Sequence, residues 1–125
     1  MLFSSQQKKI KLRGEATFLL SMKFDVHVMT STVKSAIKHA RTLMAVGNVM
    51  GIDTMLLLPA ESSDQARLDA YKSRVVVGTI DTFLADLRHG LRPDGEIAAV
   101  VEGNHQSDAL HLVDVAEKYA TILLL

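Results

Sequence analysis

Cysteine is absent from the 125 residues, so disulfides, thiolate metal sites and cysteine nucleophiles are excluded together. Charge of one sign is lacking as well. Lys and Arg number 14, Asp and Glu number 14, and neither a basic footprint for nucleic-acid phosphates nor an acidic tail results. No apolar run approaches the roughly 20 residues that span a bilayer. Met1 to Gln7 has three apolar residues before a polar run, which predicts no signal peptide and a cytoplasmic setting. Glycine and proline are few, 7 and 2, and nowhere gather into a linker or a low-complexity segment. Two glycine-rich fingerprints are missing. No Gly-x-Gly-x-x-Gly follows an apolar run, and no Gly-x-x-x-x-Gly-Lys-Ser/Thr occurs, so the direct signatures for dinucleotides and nucleoside triphosphates are both lacking.

What is present reads as one globular domain over residues 1–125, with 48% apolar and 22% charged residues. From Lys23 onward, short β-rich runs alternate with longer helical ones. Phe24 to Met29 reads as a strand, and the hydroxyls of Thr30, Ser31 and Thr32 suit the cap of the helix that follows. That helix runs to about Asn48 on a stripe of Val33, Ile37, Ala40, Met44 and Val46-Gly47, with Gly51 as its C-terminal stop. Thr54 to Leu58 is the next strand, and Ser62-Ser63-Asp64 opens a short helix to about Lys72. Arg74 to Thr79 is apolar on both faces and therefore central. A helix capped by Asp81 or Thr82 ends near His89-Gly90, and Pro93-Asp94-Gly95 makes a turn. Glu96 to Glu102 is a buried strand, Ser107 to Tyr119 a helix and Thr121 to Leu125 a last strand. This alternation predicts a three-layer α/β fold: a mainly parallel sheet of about five or six strands with helices on both faces. For the first 22 residues, Lys9 to Leu12 reads as an edge strand, Arg13-Gly14-Glu15 as a turn and Ala16 to Met22 as a short helix. Lys8, Lys9, Lys11 and Arg13 would then be the solvated charges of that edge.

Ligands of open parallel sheets sit beyond the carboxyl ends of the strands, here Thr30 to Thr32, Glu61 to Ser63, Thr79 to Asp81 and Glu102 to Gln106. Most of these residues are accounted for as helix caps. Glu102 and His105 alone pair a carboxylate with an imidazole, too little to specify a metal site or general acid–base chemistry. Asp94 and Glu102 resemble the paired acids of Mg²⁺ nucleases, but Asn104 stands where such sites carry Lys. His39, His89 and His111 fall on helices as surface or partly packed residues, His27 within a strand, and the 6 Met residues read as core filler. No catalytic residue and no metal ligand is assigned.

Val26-His27-Val28-Met29-Thr30 and, further on, Met50-Gly51-Ile52 are similar to the Val-His-Val-Val-Thr and Leu-Gly-Leu of the first nucleotide-binding domain of the SecA preprotein translocase motors, a RecA-like relative of superfamily 2 helicases. Asp69-Ala70-Tyr71 and Val77-Gly78-Thr79 match Glu-Ala-Tyr and Tyr-Gly-Thr at the same separation, followed by Phe83 and Leu87-Arg88. The resemblance implies a RecA-like, P-loop NTPase-like fold, a link to protein secretion, and a remnant nucleotide pocket at Arg13, Gly14, Glu15, Thr17, Glu102 and His105. The strand-end loops at Thr30, Thr32, Gly78 and Thr79 stand where equivalent turns of related helicases contact nucleic-acid phosphates. Both phosphate-handling motifs depart from the family. Arg13-Gly14-Glu15-Ala16-Thr17 stands for Thr-Gly-Glu-Gly-Lys-Thr, and Glu102-Gly103-Asn104-His105 for Asp-Glu-x-Asp. Loss of the Lys removes the point charge for the β and γ phosphates, and Gly103 cannot position a water. The expectation is a degenerate, non-hydrolysing domain with no bound cofactor, ATP and Mg²⁺ being what the intact family would bring. It would work through a protein partner or as a homodimer. Alternatives are a nucleotide- or anion-sensing domain, a nucleic-acid-binding helicase-like domain, which zero net charge disfavours, and a small enzyme using Glu102 and His105.

Overall fold

The computed structural model describes residues 5–58, 63–91, 96–102 and 109–125, with side chains from residue 11 onward apart from 109–112. The element order is α1 (Ser5–Ser21), β1 (Asp25–Thr30), α2 (Val33–Met50), β2 (Thr54–Leu56), α3 (Asp64–Ala70), β3 (Val75–Thr79), α4 (Ile80–Arg88), β4 (Ile97–Val101), α5 (Ala109–Lys118) and β5 (Thr121–Leu124). The 5 strands form one sheet in the order β2-β3-β1-β4-β5, every pairing parallel. β1, the first strand of the chain, lies at the centre. The predicted three-layer α/β class with a parallel sheet is what is found.

Val, Ile and Ala dominate β3 and β4, and Val26, Val28 and Met29 with His27 fill the middle of β1, because both faces of these strands are covered. Phe18 of α1 and Ala36, Ala40 and Leu43 of α2 pack on Val26, Val28, Val75, Val77, Ala98 and Val100. Ile80, Phe83 and Leu84 of α4, Val115 of α5, Tyr71 and Tyr119 pack on Met29, Val76, Ile97, Ala99 and Val101. His27 belongs to this second face. It stacks on Phe83 at 4.7 Å between ring centres and its Nδ1 lies 2.7 Å from the Tyr119 hydroxyl. Its neighbours across the sheet are Val76 and Ala99, and a methyl group at Ala99 leaves room for the ring.

Caps set the helix ends. Thr32 accepts from the Ser35 N–H and Ser63 from the Ala66 N–H, as the Ser/Thr runs suggest. Gly51 closes α2 at φ 72°, a left-handed conformation that glycine adopts without a Cβ clash. Residue 47 is glycine for another reason: a Cβ there would lie 2.7 Å from both the Ile52 carbonyl and the Thr54 hydroxyl, where the chain folds back under α2.

Several expectations are corrected. The edge strand at Lys9 to Leu12, the turn at Arg13-Gly14-Glu15 and the short helix from Ala16 are one helix, α1. Gln6 to Leu12 are good helix formers without a β-branched run beyond Ile10, and one interior glycine costs only about 1 kcal/mol. The inner face of α2 is Ala36, His39, Ala40, Leu43 and Gly47, one position round from the predicted stripe, so Val33, Met44 and Val46 are exposed. The cap of α4 is Thr79, whose side chain accepts from the Thr82 N–H, rather than Asp81 or Thr82. β2 stops at Leu56 rather than Leu58. His39 is buried rather than on the surface, and Met22, Met44, Met50 and Met55 are exposed, leaving Met29 as the core methionine among the described residues. The turn at Pro93-Asp94-Gly95 lies outside the described residues.

Candidate functional site

Parallel pairing brings Thr30, Thr79, Glu102 and Leu125 to the same edge of the sheet, the carboxyl ends of β1, β3, β4 and β5. A polar chain crosses this edge. The Glu102 carboxylate accepts from the Ser31 N–H at 3.1 Å and from the Ser35 hydroxyl at 3.2 Å, so it sits on the amino end of α2. A negative charge is favoured there by the helix dipole and the unpaired N–H groups of the first turn. One turn on, His39 Nδ1 lies 2.9 Å from the Ser35 carbonyl and Nε2 lies 3.1 Å from Arg13 Nη1. Arg13 Nε and Nη2 both donate to the Leu125 carbonyl, at 2.9 and 2.7 Å.

Burial of this chain sets its electrostatics. Arg13 is 3% exposed and His39 2%. Desolvation lowers the Arg13 pKa while the negative Glu102 pulls it back up. For His39, burial lowers the pKa first, the bond to the Ser35 carbonyl opposes it, and positive Arg13 lowers it further. The Arg13 N–H facing Nε2 requires a lone pair there, which puts the imidazole proton on Nδ1, toward the Ser35 carbonyl. Arg13 and Glu102 balance each other through Ser35 and His39 rather than by direct contact.

The remnant-pocket residues do not all converge. Arg13 and Glu102 join the network just described. A Cβ at Gly14 would lie 3.7 Å from the Leu43 side chain of α2, an ordinary van der Waals contact. Glu15 is exposed and 3.9 Å from Lys11. Thr17 is buried and donates to the Arg13 carbonyl one turn back. His105 lies outside the described residues. Thr30 donates to the Thr32 carbonyl at 2.8 Å, Thr32 and Thr79 cap α2 and α4, and the Gly78 carbonyl lies 3.5 Å from the Thr30 hydroxyl. Ser35 and His39 were not singled out from the sequence. The series Ala36, Ala40, Leu43 and Gly47 is the signal that places His39 on the inner face of α2.

Residues 13–17 are in the middle of α1, with no strand before them among the described residues, whereas a phosphate-binding loop joins a strand to the start of a helix. Their N–H groups are engaged along the helix instead of converging on one point. Among the described residues no group of three His, Asp or Glu could hold a metal ion.

A second feature lies on the outer side of α1. Its inward positions are Arg13, Thr17, Phe18 and Ser21, while Leu12, Leu19 and Met22 point out. The polar inner groups are satisfied locally, Thr17 on Arg13 and Ser21 on the Phe18 carbonyl at 2.7 Å. Leu19 and Met22, with Val46 and Met50 of α2, line an open groove of about 520 Å³ floored by Phe18 and Leu43. Leu19 is 69% exposed and Met22 80%.

No family model matches the chain, and the search of curated proteins returned no match. Among solved structures, the chain is similar to a hypothetical ATP-dependent RNA helicase from Sulfolobus tokodaii, with TM-score 0.72 and 13% identity. The match covers 98% of this chain and 39% of that one, so the chain spans about two-fifths of the helicase's length. At that identity the likeness concerns architecture. Among the described residues no helix is long and apolar enough to cross a membrane. With its parallel order β2-β3-β1-β4-β5 and helices on both faces, this chain has the α/β fold of a RecA-like helicase domain.

Proposed function

We propose that this chain is a RecA-like domain that has ceased to hydrolyse nucleotide and serves as a docking module in the cytoplasm, taking an apolar-faced helix of a protein partner into the groove between α1 and α2. The observation that carries the reading is the apolar groove between α1 and α2, in which Leu19 and Met22 stand exposed beside Val46 and Met50. Monomers rarely leave contiguous apolar surface open, and such patches mark contact sites. The groove runs from Lys11 on α1 to Met22, the residue just past its end. Those eleven residue steps of ~1.5 Å amount to roughly 16 Å, the length over which a helix presents anchors at i, i+3 or i+4, and i+7. Met22 and Met50 give it adaptable walls. The likeness to translocase motors makes a component of protein secretion the first partner to test.

Loss of hydrolysis is supported by the place of residues 13–17 inside a helix, and by Glu102 on the amino end of α2, where its charge opposes a phosphate. Thermal melts with ATP and ADP, with and without Mg²⁺, should leave the midpoint unmoved, and phosphate release should equal the blank. A Leu19→Glu variant should keep the fold and lose partner capture, because Leu19 is exposed. A nucleotide-dependent rise in melting temperature would instead support the sensing alternative.

The RNA helicase among the structural neighbours gives a second reading, nucleic-acid binding at the strand-end loops Thr30–Thr32 and Gly78-Thr79. Salt-sensitive retention of single-stranded RNA, lost on Thr32→Glu, would establish it.

A further inference from the structure

β5 is hydrogen-bonded to β4 on one side, and among the described residues no strand pairs with its other side. Open edges are usually blunted by charge, proline, a bulge or brevity. β2, at the far edge, has three residues. β5 carries none of the chemical guards: residues 121–125 read Thr-Ile-Leu-Leu-Leu, without charge, glycine or proline. Leu124 is 52% exposed and Thr121, Ile122 and Leu123 are half-buried, while all of β4 is buried.

The two faces of β5 say what would fit beside it. Ile122 packs with the core under α4 and α5, and Leu125 with the core under α1 and α2. Ile122 and Leu124 thus extend one apolar face, and Leu123 and Leu125 the other. A strand added here must be apolar on both sides, because a polar face would lie over the margin of one core. β5 itself meets that requirement.

We propose that β5 pairs antiparallel with β5 of a second copy, joining two five-stranded sheets into one across a twofold axis. This site is separate from the α1–α2 groove. Opposed residues of an antiparallel pair share a face, so the axis passes through a residue position. Placing it at Leu123 uses all of residues 121–125. A register centred on Ile122 would draw in Ala120 and Tyr119, which precede the strand. The Leu125 N–H donates to the Val101 carbonyl at 3.0 Å, toward β4. By alternation Leu123 also turns its backbone groups to β4, and Ile122 and Leu124 turn theirs to the open side. Leu123 then faces Leu123 of the second copy in the close, non-hydrogen-bonded type of pair, flanked by Ile122 against Leu124.

Because the chain has no cysteine, cross-linking tests this register directly. Leu123→Cys should give a disulfide-linked dimer under mild oxidation, well ahead of Leu124→Cys and of the exposed control Val49→Cys. Sedimentation of the unmodified chain should show mass rising with concentration from monomer toward dimer. Leu123→Lys, checked for folding by circular dichroism, should weaken association by at least about tenfold, since like charges would stand opposite one another. A monomer at every concentration overturns the proposal, as does equal cross-linking of all three cysteine variants. A dimer that persists in Leu123→Lys but dissociates in Leu19→Glu would also overturn it, by moving the contact to the groove.

Discussion

Arg13 donates to Nε2 of His39 across 3.1 Å, and because a guanidinium has no acceptor, His39 must present a lone pair there. Protonating the imidazole would set two donors against each other at a buried position. With its folded-state pKa lowered by burial, His39 takes up a proton in the unfolded chain, near pH 6.5, before it does so in the native one. The stability this provides is complete above about pH 6.5 and is lost as pH falls below it, with a limiting slope of about 1.4 kcal/mol per unit for one proton. Urea midpoints measured at pH 7.5, 6.5 and 5.5 should decline. In His39→Gln, which has no titratable group, the decline should be smaller; equal slopes would remove His39 as the source.

Glu102 caps α2 from outside the helix, accepting from Ser31 and Ser35 and placing its charge near positive Arg13. Glu102→Gln keeps an acceptor and loses the charge, so a cost of about 0.5–1 kcal/mol is expected at low ionic strength, shrinking with salt. Glu102→Ala loses both and should cost about 1–2 kcal/mol. Denaturation in low and high NaCl separates the two contributions: only the charge contribution should depend on salt.

Most of the fold was legible because β1, β3 and β4 are apolar on both faces and the helices between them open on Ser or Thr caps. Periodicity failed at α1 for a physical reason. It assumes the buried face is the apolar one, and here Arg13, Thr17 and Ser21, spaced four apart, share the buried face with Phe18 while Leu12 and Leu19 are exposed. The same assumption moved the inner face of α2 by one position and left His39 outside the predicted core. Glu102 lies just past the carboxyl end of β4. Its partners Ser35 and His39 could not be picked out from the sequence, since they depend on which side of α2 meets the sheet.

Gly47→Ala sets helix propensity against packing. An interior glycine costs up to about 1 kcal/mol relative to alanine, so the substitution should stabilise an isolated α2. In the folded chain the added methyl would meet the Ile52 carbonyl and Thr54 at 2.7 Å, and backbone there cannot move cheaply. Overpacking of this kind costs about 1–3 kcal/mol, so the net change should be destabilising. A lowered urea midpoint is expected, and a raised one would show that the Ile52–Thr54 segment relaxes.

Arg67 and Asp86 form a two-pronged ion pair, each bond 2.7 Å, that ties α3 to α4 beneath the surface. Tyr71 adds a 2.6 Å bond to the same carboxylate, and its own ionisation is pushed far up by burial and by that bond. The third Arg67 nitrogen donates to the Leu58 carbonyl at 2.8 Å. Removing one partner strands a charge with no access to water, so Arg67→Ala should cost about 3–5 kcal/mol and Tyr71→Phe about 1.5–3. The attraction between the charges largely repays their desolvation and adds little beyond it, so replacing both with apolar residues should restore much of the loss. Urea denaturation of Arg67→Met, Asp86→Leu and the double variant closes the cycle. The double variant should lie nearer the parent than either single one; a double loss as large as that of a single variant would mean the pair stabilises outright, and additive losses would mean the two residues are not coupled.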